Sequence, residues 1–229
     1  MVRNDERLFR IVSRAVSDNG LDLRSAVFRE QKEFGISWKR SGKNIDISVS
    51  DYLADAPYDV LEDFSGTVAG TIAGKRPGYG KTYLDWVKSD DFICSSRKIY
   101  LKRSRNLTGR PDGRGRDITE SLDRLLDSGL LRPENIDNSF FSWTRRPGFK
   151  KVGFCSPMMR VVGVSSALDD AAVPEYVLDY VVYHESLHLA QGYRPGERAH
   201  DRTFRLNERK YPLYEEAEKY LRTLASRPE

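Results

Sequence analysis

The sequence predicts an α+β chain made of two tandem copies of one unit, each an antiparallel three-stranded meander followed by helices. Metal chemistry is expected in the second copy alone. Three observations carry this. Short alternating apolar runs stand beside longer runs of helical period. One order of strand, turn, proline and helix occurs twice. All three histidines of the 229 residues fall between positions 184 and 200, two of them inside "VVYHESLHLA" (181–190).

In the first copy, "ISVSDYLADAPYDVLEDFSGTVAGTIAG" (47–74) reads as strand, turn and a helix over 57–73 that Pro57 opens. Val60, Leu61, Phe64, Val68 and Ile72 form its apolar stripe. Gly66, Ala69, Gly70, Ala73 and Gly74 make it intrinsically weak, so packing must hold it. The second copy repeats the pattern in "VGVSSALDDAAVPEYVLDYVVYHESLHLAQG" (162–192). Pro57 matches Pro174, and Val60-Leu61 matches Val177-Leu178, at an offset of 117. Val49-Ser50 matches Val164-Ser165 at 115, the difference being an insertion in the turn. "SDNGL" (17–21) and "LDSGL" (126–130) each close a helix with glycine. Thr82-Tyr83 resembles Thr203-Phe204, and Tyr100-Leu101-Lys102 resembles Tyr220-Leu221-Arg222.

The strands of the second copy are expected in "SFFSWTRR", "KKVGFCS" and "RVVGVSSAL". Pro174, with Asp169 and Asp170 before it, starts a helix over 174–191 that Gly192 ends. A further helix over 198–210 stops before Pro212. A last one covers 213–225, with Leu213, Ala217, Tyr220, Leu221 and Leu224 on one stripe. The copies are therefore expected at 1–103 and 117–229, joined by a basic Gly/Pro linker over 104–116.

Residues 97–116 carry eight Lys/Arg against one Asp, so the rest of a chain of formal charge +4 stands at −3. Lys98, Lys102, Arg103, Arg105 and Arg110 could neutralise phosphates, which makes nucleic acid one partner class; a solvated linker is the simpler reading. Hydrophobic content of 39% with 31% charged residues fits an ordinary globular protein. No run approaches the roughly 18 apolar residues of a membrane span. "MVRNDERLFR" is no secretory signal, so a cytoplasmic setting without a membrane partner is expected. Cys94 and Cys155 are far apart and lack CxxC spacing, and read as buried free thiols.

On the helix 174–191, His184 and His188 lie one turn apart and continue the stripe of Val177 and Val181, which aims them beneath the sheet. Two imidazoles at i and i+4 can share one ion, and Glu185 sits beside the first as a base that does not itself ligate. This His-Glu-x-x-His spacing is specific: three histidines placed at random would produce it roughly two times in a thousand. Gln191 and Arg194 stand where the astacin-like pattern needs glycine and histidine, which excludes that class. His200, the remaining histidine, is the first choice for a third ligand. Glu208 would serve in a thermolysin-like arrangement, and Asp201 is a third option.

The chain resembles the YgjP-like and SprT-like zinc metallopeptidases over about residues 140–225. The resemblance rests on "KKVGFCS", "RVVGVSSAL", "VLDYVVYHESLHL", "HDRTF" and "KYPLYEEAEKYL". It implies a zincin-like unit in which His200, with Phe204 behind it, completes the zinc site of His184 and His188. Three neutral imidazoles leave a fourth position for a water whose pKa falls to about 7, and Glu185 is the expected general base of peptide-bond hydrolysis. An extended substrate is expected to pair with a sheet edge, with strand 160–167 as the candidate. Tyr193 and Arg194, just past the helix, are available as oxyanion donors but read more simply as solvated surface residues. In the first copy, Thr67, Val68 and Thr71 stand where the second has His184, Glu185 and His188, and Tyr79 lies opposite His200, so that copy is expected to be metal-free. The competing reading is a DNA-associated or zinc-stabilised scaffold with little proteolytic activity.

Overall fold

A computed structural model describes residues 5–226. Residues 1–4 and 227–229, the outer ends of the two expected copies, lie outside the described residues. The fold is α+β, with two small three-stranded mixed sheets. The chain divides into two compact units between Ser96 and Arg97, so the whole basic stretch 97–116 belongs to the second.

In the first unit, α1 (Asp5–Ser17) leads into β1 (Asp22–Arg29), β2 (Ile36–Ser41) and β3 (Asn44–Ser50). A 3₁₀ turn over Asp51–Leu53 precedes α2 (Tyr58–Ile72), α3 (Lys81–Val87) and α4 (Asp90–Arg103), the last crossing the division. The sheet order is β1-β3-β2, with β3 parallel to β1 and antiparallel to β2. The expected antiparallel meander is thus corrected. A meander would put the second strand at the centre, and β2 is exposed along almost its whole length. Ile45, Ile47 and Val49 of β3 are buried, so the apolar strand takes the centre.

The second unit repeats this choice. After α5 (Ile118–Asp127) and the short α6 (Pro133–Ile136) come β4 (Phe140–Trp143), β5 (Gly153–Ser156) and β6 (Val161–Val164). Their order is β4-β6-β5, again parallel on one side and antiparallel on the other, and every residue of β6 is buried. A 3₁₀ turn over Ser166–Leu168 precedes α7 (Glu175–Gln191), α8 (Arg202–Glu208) and α9 (Tyr214–Ala225). Pro174 caps α7, and Gly192 ends it in the left-handed region at φ 69°. The helix expected over 198–210 begins later, because Asp201 is its N-cap and accepts from the Phe204 amide at 2.7 Å. His200 therefore lies in the loop before α8. The core joins Trp143, Val162, Val164, Val177, Val181, Phe204 and Leu224 around α7.

The stretch expected as a linker is built into this unit. Thr108 donates its amide to the Trp143 carbonyl (2.9 Å), and the Trp143 amide donates to the Arg110 carbonyl (3.2 Å). Asp169 accepts from the amides of Arg114, Gly115 and Arg116. Residues 107–110 thereby cover the outer edge of β4, and among the described residues β5 is the terminal strand on the other side. Both cysteines are free, but Cys94 is exposed and Cys155 only partly buried, a correction to the buried pair expected. Among the described residues no helix is long and apolar enough to cross a membrane.

Candidate metal centre

Two rows of α7 face different neighbours. A Cβ placed on Gly153 would lie 2.6 Å from Glu185 Oε1 and 3.0 Å from Val181 Cγ1, so the Val177–Val181–Glu185 row faces β5. Tyr180, His184 and His188 form the adjacent row and face α8: the Phe204 ring lies 5.1 Å from His184 and 4.5 Å from His188. The histidines lie on the broad face of α7 that also carries Val177 and Val181, and there they meet Phe204 of α8. Glu185 is turned about 40° from Val181 toward β5, and His184 about 60° from it the other way, toward α8.

The three imidazoles converge. His188 Nε2 is 3.1 Å and His184 Nε2 is 3.3 Å from His200 Nε2, and these ligand atoms all lie within 4.8 Å of one another. Tetrahedral zinc with Zn–N bonds of about 2.0–2.1 Å separates its ligand atoms by about 3.3–3.4 Å. The donor set thus fits zinc in number and atom type, and the two distances to His200 fit it in spacing. Phe204 stacks on His188 and meets His184 and His200 edge-on, bracing all three rings from below.

Glu208 takes a different place from the one weighed for it as a ligand. Its Oε1 lies 2.7 Å from His184 Nδ1, on the side of the ring away from the cluster. With Nδ1–H donating to the carboxylate, Nε2 keeps its lone pair for a metal. Tyr180 OH lies within reach of two carboxylates, Glu218 Oε1 (2.9 Å) and Glu208 Oε1 (3.1 Å), and its single proton is shared between them. Phe204 and Glu208 are one turn apart on α8, so one inward face supplies both the ring platform and the acid. Asp201 is occupied by its capping bond and by Arg194 at 3.1 Å. Arg194 is held there and by Glu197 at 3.1 Å, away from any role as an oxyanion donor.

The electrostatics separate the groups. Burial, then the neighbouring imidazoles, pulls His188 down to about 4, which keeps it neutral and able to ligate. Burial and His184 also lower His200. For His184, burial works downward but the hydrogen bond and charge of Glu208, with Glu185 and Glu218, outweigh it and raise the pKa. Glu185 is 7% exposed, and burial raises it to about 7 against the pull of His184 and Lys151. Glu185 is thus a buried carboxyl that exchanges its proton near neutrality, next in sequence to His184.

The His184, His188 and Glu185 constellation was legible as a spacing, and His200 as the remaining imidazole. Gly153, Tyr180 and the contact of Glu208 with His184 Nδ1 were not. Only the step of four from Phe204 to Glu208 hinted at the last. No family model, curated protein or solved structure matches this chain.

Proposed function

We propose that the chain is a zinc-dependent metallopeptidase that hydrolyses peptide bonds of polypeptide substrates. The observation that carries this reading is the pairing of three convergent Nε2 atoms with a buried Glu185 carboxylate set against the terminal strand β5. Zinc, held by His184, His188 and His200, would supply Lewis acidity toward water and toward the scissile carbonyl. Glu185 would accept the proton of the attacking water and return it to the leaving amine. Burial readies it for both steps by bringing its pKa near neutrality. A site that only fixed the fold would gain nothing from burying a carboxylate there.

The substrate edge in this reading is β5, not the strand 160–167 read from sequence, since β6 is central and β5 terminal. Gly153 and Cys155 alternate with the residues bonded to β6 and so turn their amides and carbonyls outward. Gly153 also leaves room for the base. Gly153→Ala should push Glu185 aside and lower turnover by about 10²-fold, as a displacement of roughly 1 Å can, with zinc content unchanged. Equal turnover in that variant would separate Glu185 from the chemistry. The reading as a whole is tested by chelation: turnover of an unfolded protein should vanish when zinc is stripped and return with one equivalent. Activity that survives complete removal would refute it.

We also infer that the two units are copies of one zincin-like ancestor. Supporting this, both sheets share one strand order and one pairing pattern. The 3₁₀ turns start 115 residues apart and the helices α2 and α7 117 apart, while α3 and α8 match end to end at 121. The last offset places Tyr79 on Tyr83 (5.0 Å) as His200 lies on Phe204 (4.7 Å). In the first unit, Thr67 and Thr71 bond carbonyls instead of a metal, and Val68 and Val87 stand where the second has Glu185 and Glu208.

A further inference from the structure

Helix α8 has a second face. While Phe204 and Glu208 turn inward, Arg202, Arg205, Leu206 and Arg209 follow at steps of three and four and turn out to solvent. With Arg198, His200 and Asp201 from the preceding loop they line one groove of about 470 Å³ that borders the metal centre, Asp201 being its one carboxylate. None of the four arginines has an ion-pair partner among the described residues. The carboxylates nearest in sequence are already used. Asp201 caps α8 and holds Arg194, and Glu208 faces His184. Like charges at such spacings destabilise a helix, so this face carries a cost that an anionic ligand would relieve. Leu206, 59% exposed, sits among the guanidinium groups and offers an apolar contact.

We propose that this groove is a specificity subsite that binds an acidic segment of the polypeptide substrate next to the metal centre. The inference rests on the metallopeptidase reading and adds a substrate class to it. Arginine's planar fork takes a carboxylate in two parallel hydrogen bonds, and several forks around one leucine suit glutamate or aspartate flanked by an apolar residue. The groove suits nucleic acid less well. No Phe, Tyr or Trp lines it to stack on a base, and the one imidazole there, His200, belongs to the triad. His200 belongs both to the groove and to the triad, so a chain crossing the metal would set its neighbouring residues among the arginines.

The test uses zinc-loaded Glu185→Gln protein, which separates binding from turnover. A Glu-rich peptide with an interspersed leucine and its Gln analogue are titrated by fluorescence anisotropy. The acidic peptide should bind at least about tenfold more tightly at low salt, and the advantage should shrink as the Debye length falls to about 3 Å near 1 M. Arg205→Glu/Arg209→Glu should reverse the preference, and Arg205→Gln/Arg209→Gln should abolish it if the reversal variant fails to fold. Equal binding of the two peptides, or a preference that survives both variants, would overturn the proposal. So would tight binding of an oligonucleotide with no discrimination between the peptides. Failure of the peptidase reading looks different: wild-type protein would cleave neither peptide, whatever the binding ratio.

Discussion

Glu185→Gln should lose turnover and gain stability in the same molecule. The amide keeps the shape of the side chain but cannot take a proton, so turnover should fall by about 10²–10⁴-fold, the contribution typical of acid–base catalysis, with zinc content unchanged. The stability effect follows from burial. The folded chain holds the Glu185 proton to about pH 7, against 4.5 for the free group, so between those values it binds more protons than the unfolded chain. Stability of the zinc-free protein therefore falls as pH rises through this window and is flat above it. A shift of that size corresponds to roughly 3 kcal/mol, at about 1.4 kcal/mol per pKa unit. The neutral amide escapes this loss. Zinc-free wild type and variant should melt together near pH 4.5 and diverge by pH 8, the variant being the more stable. Equal melting at both pH values would mean that the carboxylate is not desolvated in solution. Undiminished turnover would mean that another residue is the base.

The histidine pair and its glutamate were legible because their spacing is local. His184, Glu185 and His188 lie within one turn of a helix that Pro174 opens and Gly192 closes, so spacing alone carries the pattern. Glu208 shows what spacing cannot carry. Whether a downstream carboxylate reaches the ion or the back of an imidazole depends on where α8 begins. That is set by the Asp201 cap, and the cap competes with the longer helix that periodicity favours. The four arginines of the groove are dispersed among acids in sequence, and only the helical turn gathers them on one face.

Strand existence was legible and strand order was not. Alternation marks each run as a strand but does not say which runs are neighbours, and consecutive strands pair often enough to suggest a meander. What decided the order was relative burial. Ile45, Ile47 and Val49 in one sheet and Val161, Val162 and Val164 in the other are more apolar than the strands before them, and each takes the centre. The basic stretch misled for a related reason. Glycine, proline and charge mark the absence of helix, yet residues 107–110 pair their backbone along β4, which asks nothing of side-chain pattern.

Removing the third imidazole should cost most of the metal. His200→Ala leaves His184 and His188 as the only ligands, and zinc affinity should fall well beyond the roughly 10–100-fold lost when a carboxylate behind a ligand is removed. Glu208→Gln should show that smaller loss, because the amide can no longer hold the His184 Nδ1 proton as a carboxylate does. Zinc at about a hundredfold over its dissociation constant should stabilise wild type by about 2.7 kcal/mol. For a chain of this size that raises the melting temperature by roughly 5–10 °C. The increment should shrink in Glu208→Gln and disappear in His200→Ala at the same zinc concentration. Competition with a chromophoric chelator measures the affinities, and thermal melts with and without zinc measure the linkage independently. The reverse ranking, with zinc kept in His200→Ala and lost in Glu208→Ala, would make Glu208 a direct ligand. The 2.7 Å contact to His184 would then belong only to the metal-free protein.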